Sequence, residues 1–240
     1  MARKISLSEP VGELRRIPIV ESGEPLINFM ECYPQLRLDR PRYDYRRETL
    51  LRETVAERIA RADADLPNGY RLAIIEGWRA AHIQRRMYLA IWNWFAERNP
   101  QWSETQLKRV VNRFSAPLDA RVPPPHTTGG AIDCLLANAE GNVLDFHLPY
   151  EAFDPRSYPF AAPKLSDEAQ TNRGLLKAAL ESVGLSNYPS EYWHWSFGDS
   201  GHAYRTGLPH AIYGAIQPEN YAPPPEELTD EPLKSSRVSS

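Results

Sequence analysis

Leu51, Val55 and Ile59 recur every four residues, with Glu and Arg on the intervening positions. That spacing predicts an amphipathic helix over residues 48–64. Pro67-Asn68-Gly69 then makes a turn. Residues 71–76 read as a buried strand through Leu72, Ala73, Ile74 and Ile75. A helix follows to about residue 98, with Ile83, Met87, Ile91 and Trp94 or Phe95 as its apolar stripe, and Asn99-Pro100 ends it. Ser103 and Gln106 form a capping box for another helix carrying Leu107, Val110, Val111 and Phe114. Residues 131–136 and 143–146 are expected as the two strands of a hairpin turned at 138–142. Ser166 caps a helix running to residue 183 and stopped by Gly184. Residues 191–197 read as a strand.

The remaining segments carry no strong period. Residues 1–45 are broken by Pro10, Pro18, Pro25, Pro34 and Pro41, with short strands at 18–20 and 36–38. Residues 147–165 form a long proline-containing loop, a length that often has a functional use. From about residue 222 the apolar content falls. A domain over 1–221 followed by a disordered Pro- and Ser-rich tail over 222–240 is therefore expected.

The chain has 240 residues, of which 42% are hydrophobic and 25% charged, as in an ordinary soluble globular protein. A formal net charge of -3 gives no basic footprint for nucleic acid. No apolar run approaches a membrane span. The N-terminus lacks the apolar segment of a signal peptide. Two cysteines, Cys32 and Cys134, make no disulfide framework. These features together favour the cytosol.

The candidate chemistry begins at Pro123-Pro-Pro-His126-Thr-Thr-Gly129-Gly130-Ala131-Ile-Asp133. An acid inside an apolar strand is costly unless its charge is compensated. A metal held with His126 would compensate it, and Glu191-Tyr-Trp-His194 offers a further histidine. Catalytic zinc needs three protein ligands and one open position, which two imidazoles and a carboxylate satisfy. On a regular strand Glu191 and His194 would face opposite sides, so a bulge or turn at 189–190 would be needed to bring Glu191 to the metal. Arg79 stands where a strand leaves the core, a common place for a functional side chain. His82, His147, His202 and His210 fall outside the pattern and are read as structural or solvated.

These residues resemble the zinc D-alanyl-D-alanine dipeptidases of the vancomycin-resistance type, within the D-Ala-D-Ala metallopeptidase superfamily. The family pattern Ser-x-His-x-x-Gly-x-Ala-x-Asp stands here as Pro124-Pro-His126-Thr-Thr-Gly129-Gly-Ala131-Ile-Asp133, and its Glu-x-x-His as Glu191-Tyr-Trp-His194. Gly77-Trp78-Arg79 matches a strand ending in Tyr-Arg, with Trp for Tyr. The resemblance covers residues 43–197. It implies an α+β fold with a small central antiparallel sheet carrying the zinc site and helices packed against it. It also implies one zinc per chain on His126, Asp133 and His194, Glu191 as catalytic base and then acid, and Arg79 at the oxyanion. Glu151, with Asp154 as second choice, would meet the free amino group of a small dipeptide such as D-Ala-D-Ala. Pro124 departs from the family serine. The alternatives are a carboxypeptidase or amidase acting on a longer cell-wall-like or biosynthetic peptide, and a non-catalytic zinc module. A non-haem iron site is disfavoured by the six residues between His126 and Asp133.

Overall fold

A computed structural model describes residues 9–117, 121–147 and 158–235. In chain order the described elements begin with α1 (Val11–Leu14), β1 (Leu26–Asn28), α2 (Phe29–Cys32), β2 (Arg37–Leu38), β3 (Leu50–Arg52), α3 (Glu53–Ala64) and β4 (Tyr70–Glu76). They continue with α4 (Ala81–Arg98), α5 (Glu104–Val111), β5 (Ala131–Asn138), α6 (Asp167–Ser182), β6 (Ser186–Asn187), β7 (His194–Ser196) and α7 (Ser200–Thr206).

The fold is α+β. Its main sheet has the strand order β2-β4-β5-β7-β6, parallel between β2 and β4 and antiparallel elsewhere, and β1 and β3 pair separately. β5 lies at the centre, and every residue from Ala131 to Ala137 is buried. A strand covered on both faces needs such a run, and an acid within it is the exception to be explained. α3 and α6 pack beside each other. Val55, Ile59, Leu176 and Leu180 join Leu72, Ile74, Ile132 and Leu136 in one apolar core. A second core, formed by Trp78, Ile83, Ile91, Phe95, Leu107 and Val111, holds α4 to α5.

The capping box at Ser103 and Gln106 is present, and Ser166 caps α6 by accepting from the Ala169 amide at 3.0 Å. Several expected elements differ, and the strand expected at 18–20 is only a bridge between Ile19 and Ala211. The helix expected over 48–64 begins only at Glu53, because Leu50–Arg52 pairs with Leu26–Asn28 and buries Leu51. The expected second hairpin strand is reduced to a bridge between Val143 and Ala137. The strand expected over 191–197 is limited to His194–Ser196. The stretch expected as a disordered tail is packed over its described part. Glu231 O and Glu227 O accept from the Arg86 guanidinium, Leu233 enters the second core, and Ser235 bridges to Tyr43. A few well-placed contacts hold this segment despite its polar composition.

Candidate metal centre and active site

Register assembles the centre. Asp133 of β5 is directly opposite His194 of β7. On its other side, an irregularity between Ile74 and Glu76 in β4 brings Glu76 opposite Asp133. Directly paired residues point to the same face of a sheet. Glu76, Asp133 and His194 therefore form one row across three strands, while Cys134 points to the other face and is buried there.

His126 reaches this row from a one-turn helix, Pro125–Thr128, ended by Gly129 in the left-handed conformation (φ 72°). A β-carbon on Gly129 would stand 2.4 Å from Leu26, and one on Gly130 would stand 2.5 Å from the Phe197 carbonyl. Both glycines let the loop press against its neighbours. Arg52, buried behind it, donates to the Thr128 carbonyl at 2.9 Å. The Arg79 amide donates to the His126 carbonyl at 3.1 Å, which ties the two functional segments by their backbones.

His126 Nδ1 donates to the Gly77 carbonyl at 2.8 Å, which leaves Nε2 as an acceptor. Nε2 lies 3.2 Å from Asp133 Oδ1 and 3.1 Å from His194 Nδ1, and His194 Nδ1 lies 2.9 Å from Asp133 Oδ1. Zinc bonded tetrahedrally at about 2.0–2.1 Å sets its ligand atoms about 3.3 Å apart. The observed triangle fits one face of such a tetrahedron. His126 Nε2 and Asp133 Oδ1 are both acceptors, and they can share this distance comfortably only with a proton or a cation between them. The carbonyl partner of His126 is the kind of outer contact that orients a metal-binding imidazole. Among the described residues this is the group of acids, cysteines and histidines that could hold a metal ion.

The electrostatics agree with the geometry. Burial alone would raise Asp133, but the imidazoles of His126 and His194 outweigh it and hold the carboxyl well below its usual range. Burial lowers His194, with Asp133 opposing it. The centre is thus an ionised acid between two imidazoles, buried at the wall of a cavity.

Glu191 lies in the turn before β7, not on the strand, so the alternation of strand faces does not apply to it. The Asn187 amide donates to the carbonyls of Glu191 at 2.9 Å and His194 at 3.0 Å, clamping the turn. Burial, and then the charge of Asp133, raise the Glu191 carboxyl to about 8, with Arg42 and Arg79 opposing. Arg79 Nη2 is 3.9 Å from Asp133 Oδ2. Its guanidinium is gripped at two points by Glu76 and donates to Gln84 Oε1 at 2.6 Å. Burial would lower the Arg79 pKa, but Glu76 prevails and the group stays charged. Tyr45 also donates to Glu76 Oε1, the oxygen that accepts from Arg79 Nε. Glu76, Gln84, Tyr45 and Asn187 were missed at the sequence level. Glu76, three residues before Arg79, offered the only local signal.

A cavity of about 150 Å³ joins these groups, bordered by Arg79, His126, Asp133, Glu191 and His194. Pro124 also borders it, at the position of the family serine. Glu151 and Asp154 lie outside the described residues. His82 sits 3.4 Å from Glu227, and His202 is buried with Nδ1 3.0 Å from Ser186 Oγ. His147 is exposed and His210 half-buried.

A fold of this kind, with a buried His/Asp/His centre on a cavity wall beside an acid and a fixed guanidinium, is the equipment of a metal-assisted hydrolase. The profile of the peptidase M15 family, described as D-ala-D-ala dipeptidase, matches residues 38–212, and the chain belongs to this family of metallopeptidases. The chain is similar to a D-alanyl-D-alanine dipeptidase of Synechocystis sp., 26% identical over 251 residues covering 89% of this chain and 100% of that protein. It is also similar to a D-alanyl-D-alanine dipeptidase of Escherichia coli, 31% identical over 96 residues covering 40% of this chain and 49% of that protein. No described helix is long and apolar enough to cross a membrane.

Proposed function

We propose that the protein is a zinc-dependent dipeptidase hydrolysing D-Ala-D-Ala or a related small dipeptide, with one zinc held by His126, Asp133 and His194. The observation that carries this reading is the convergence of three ligand atoms beside Glu191 and Arg79 on one cavity. Zinc, when bound there, supplies the Lewis acidity that makes water nucleophilic at neutral pH and polarises a peptide carbonyl.

The protein's own groups do the rest. Glu191 takes the proton of the attacking water and then delivers it to the leaving amine. Two features suit it to this shuttle: a place near Asp133, whose charge a bound cation would offset so that Glu191 can start ionised, and a backbone fixed by Asn187. The Arg79 guanidinium, already fixed by Glu76 and Gln84, meets the negative charge that develops on the carbonyl oxygen. Because Glu76 fixes the guanidinium beforehand, little reorganisation is left for the transition state. We assign Glu151 to the substrate's free ammonium, on the family pattern. We further infer a cytosolic location, supported by two cysteines that are both free.

Metal analysis of the purified protein should find one zinc per chain, lost on joint substitution His126→Ala and His194→Ala. Stoichiometric zinc surviving that change would refute the ligand assignment. Glu191→Gln should keep its zinc and lose rate by about two to four orders of magnitude. Free D-Ala-D-Ala should be cleaved and its N-acetylated form spared. Equal turnover of the two would favour a carboxypeptidase or amidase.

A further inference from the structure

We propose that the N-terminal segment, through Glu9, Val11 and Leu14, is the wall that limits substrate length, and that the Glu9–Arg205 ion pair holds this wall in place. This deepens the dipeptidase reading and rests on it.

The segment borders the same cavity as the metal centre. It does so from the side away from Arg79. The strand order sets β4, which leads into Arg79, on one side of Asp133, and β7 and β6 on the other. α7 packs on β6, and α1 packs on α7. A peptide laid across the centre from Arg79 therefore runs toward α1. Glu9 and α1 lie before residue 38, where the match to the family begins.

α1 is a single turn, Val11–Leu14, and a helix of that length has no stability of its own. It is held from both ends. Downstream, the Ala211 amide donates to the Pro18 carbonyl at 2.9 Å, and the Val20 amide donates to the Ala211 carbonyl at 2.8 Å. Upstream, Glu9 pairs with Arg205. Arg205 is itself fixed, since it donates to Ser186 Oγ of β6 at 2.9 Å and to Ser196 Oγ of β7 at 2.5 Å. The two side chains are only 10% and 4% exposed, so salt screens the pair little. The pair lies over Gly201, where a β-carbon would stand 3.0 Å from Glu9 Oε2 and 2.9 Å from Arg205 Nη1. A glycine at this place leaves the room that the pair occupies. Between the two anchors Leu14 is buried and Val11 is 39% exposed, which puts Leu14 against the protein and Val11 at the rim.

The cavity of about 150 Å³ holds a small dipeptide with little to spare. A third residue on this side enters only where a wall yields. β5 and β7 lie within the sheet, and α4 is an 18-residue helix packed in the second core. α1 is one turn whose upstream anchor is one ion pair. Longer peptides are therefore refused by their clash with α1, and the refusal lasts as long as Glu9 stays on Arg205.

The test uses zinc-loaded, full-length enzyme with free dialanine and trialanine in the D and L series, products identified. Wild type should favour the dipeptide in kcat/KM by at least about tenfold. Glu9→Ala, which releases the wall, should raise the tripeptide-to-dipeptide ratio about tenfold. Leu14→Ala shortens the wall with the ion pair intact and should raise the ratio too. Glu9→Gln keeps the size and a hydrogen-bond acceptor for Arg205, and should stay closer to wild type. A variant that is merely less well folded loses both activities together and leaves the ratio unmoved. If wild type prefers the dipeptide and neither Glu9→Ala nor Leu14→Ala raises the ratio, the wall proposal is overturned while the dipeptidase reading stands. If wild type cleaves both lengths equally, or cleaves no dipeptide, both fall.

Discussion

The metal-free protein should carry a pH-dependent destabilisation that Glu191→Gln removes. Folding buries the Glu191 carboxyl within reach of the Asp133 charge and lifts it from 4.5 to about 8. A group whose folded pKa lies above its unfolded value keeps its proton in the folded state and releases it when unfolded. Stability therefore falls as pH rises between these two values and is level above them. The full interval corresponds to about 5 kcal/mol. Glu191 borders the open cavity and keeps some water, so about half of that, about 2–3 kcal/mol, is the expected loss between pH 5 and pH 9. Glutamine has nearly the same shape and no charge to desolvate. Urea denaturation of apoprotein at pH 5, 7 and 9 should show the two proteins matching at pH 5 and the Glu191→Gln variant ahead by that amount at pH 9. Zinc should shrink the gap, since a cation beside Asp133 compensates the carboxylate that raises Glu191. Parallel pH dependence of the two apoproteins would show that Glu191 is not held in its protonated form by the fold, and the argument from burial would fail.

Further expectations follow from the residues around Arg79 and from the C-terminal segment. Arg79→Ala should lower kcat far more than it raises KM, because the charge it meets exists only in the transition state; a pure KM effect in steady-state kinetics would make it a substrate-binding group instead. Glu76→Gln removes one partner of a buried ion pair and should cost about 3–5 kcal/mol in denaturant unfolding, with a kcat loss that Glu76→Asp partly restores. Truncation after Tyr221 exposes the contacts of Leu233 and should cost at least about 1.5–3 kcal/mol; an unchanged melting curve would mean that the segment is only laid on the surface.

Local physics made much of this protein legible in its sequence. The Ser103–Gln106 box, the Ser166 cap and the stripe of α4 depend on neighbours within one or two turns, so spacing reveals them. Asp133 stood out because an ionised acid in a central strand requires compensation, and His126 and His194 were found as the groups that could join it around a metal. Tertiary contacts decided the rest. Leu50–Arg52 left the predicted helix because pairing with β1 buries Leu51 better than another helical turn would. Glu191 left the predicted strand because Asn187 and the backbone of Tyr188 fold its segment into a turn. Glu76 became the anchor of Arg79 through a break in the register of β4 against β5, which no local periodicity encodes. The C-terminal segment has too little apolar content to fold alone, yet Leu233 finds a core that α4 and α5 have already built. Residue types and spacings named the donors of the centre; strand register and long-range pairing decided which side chains face one another across it.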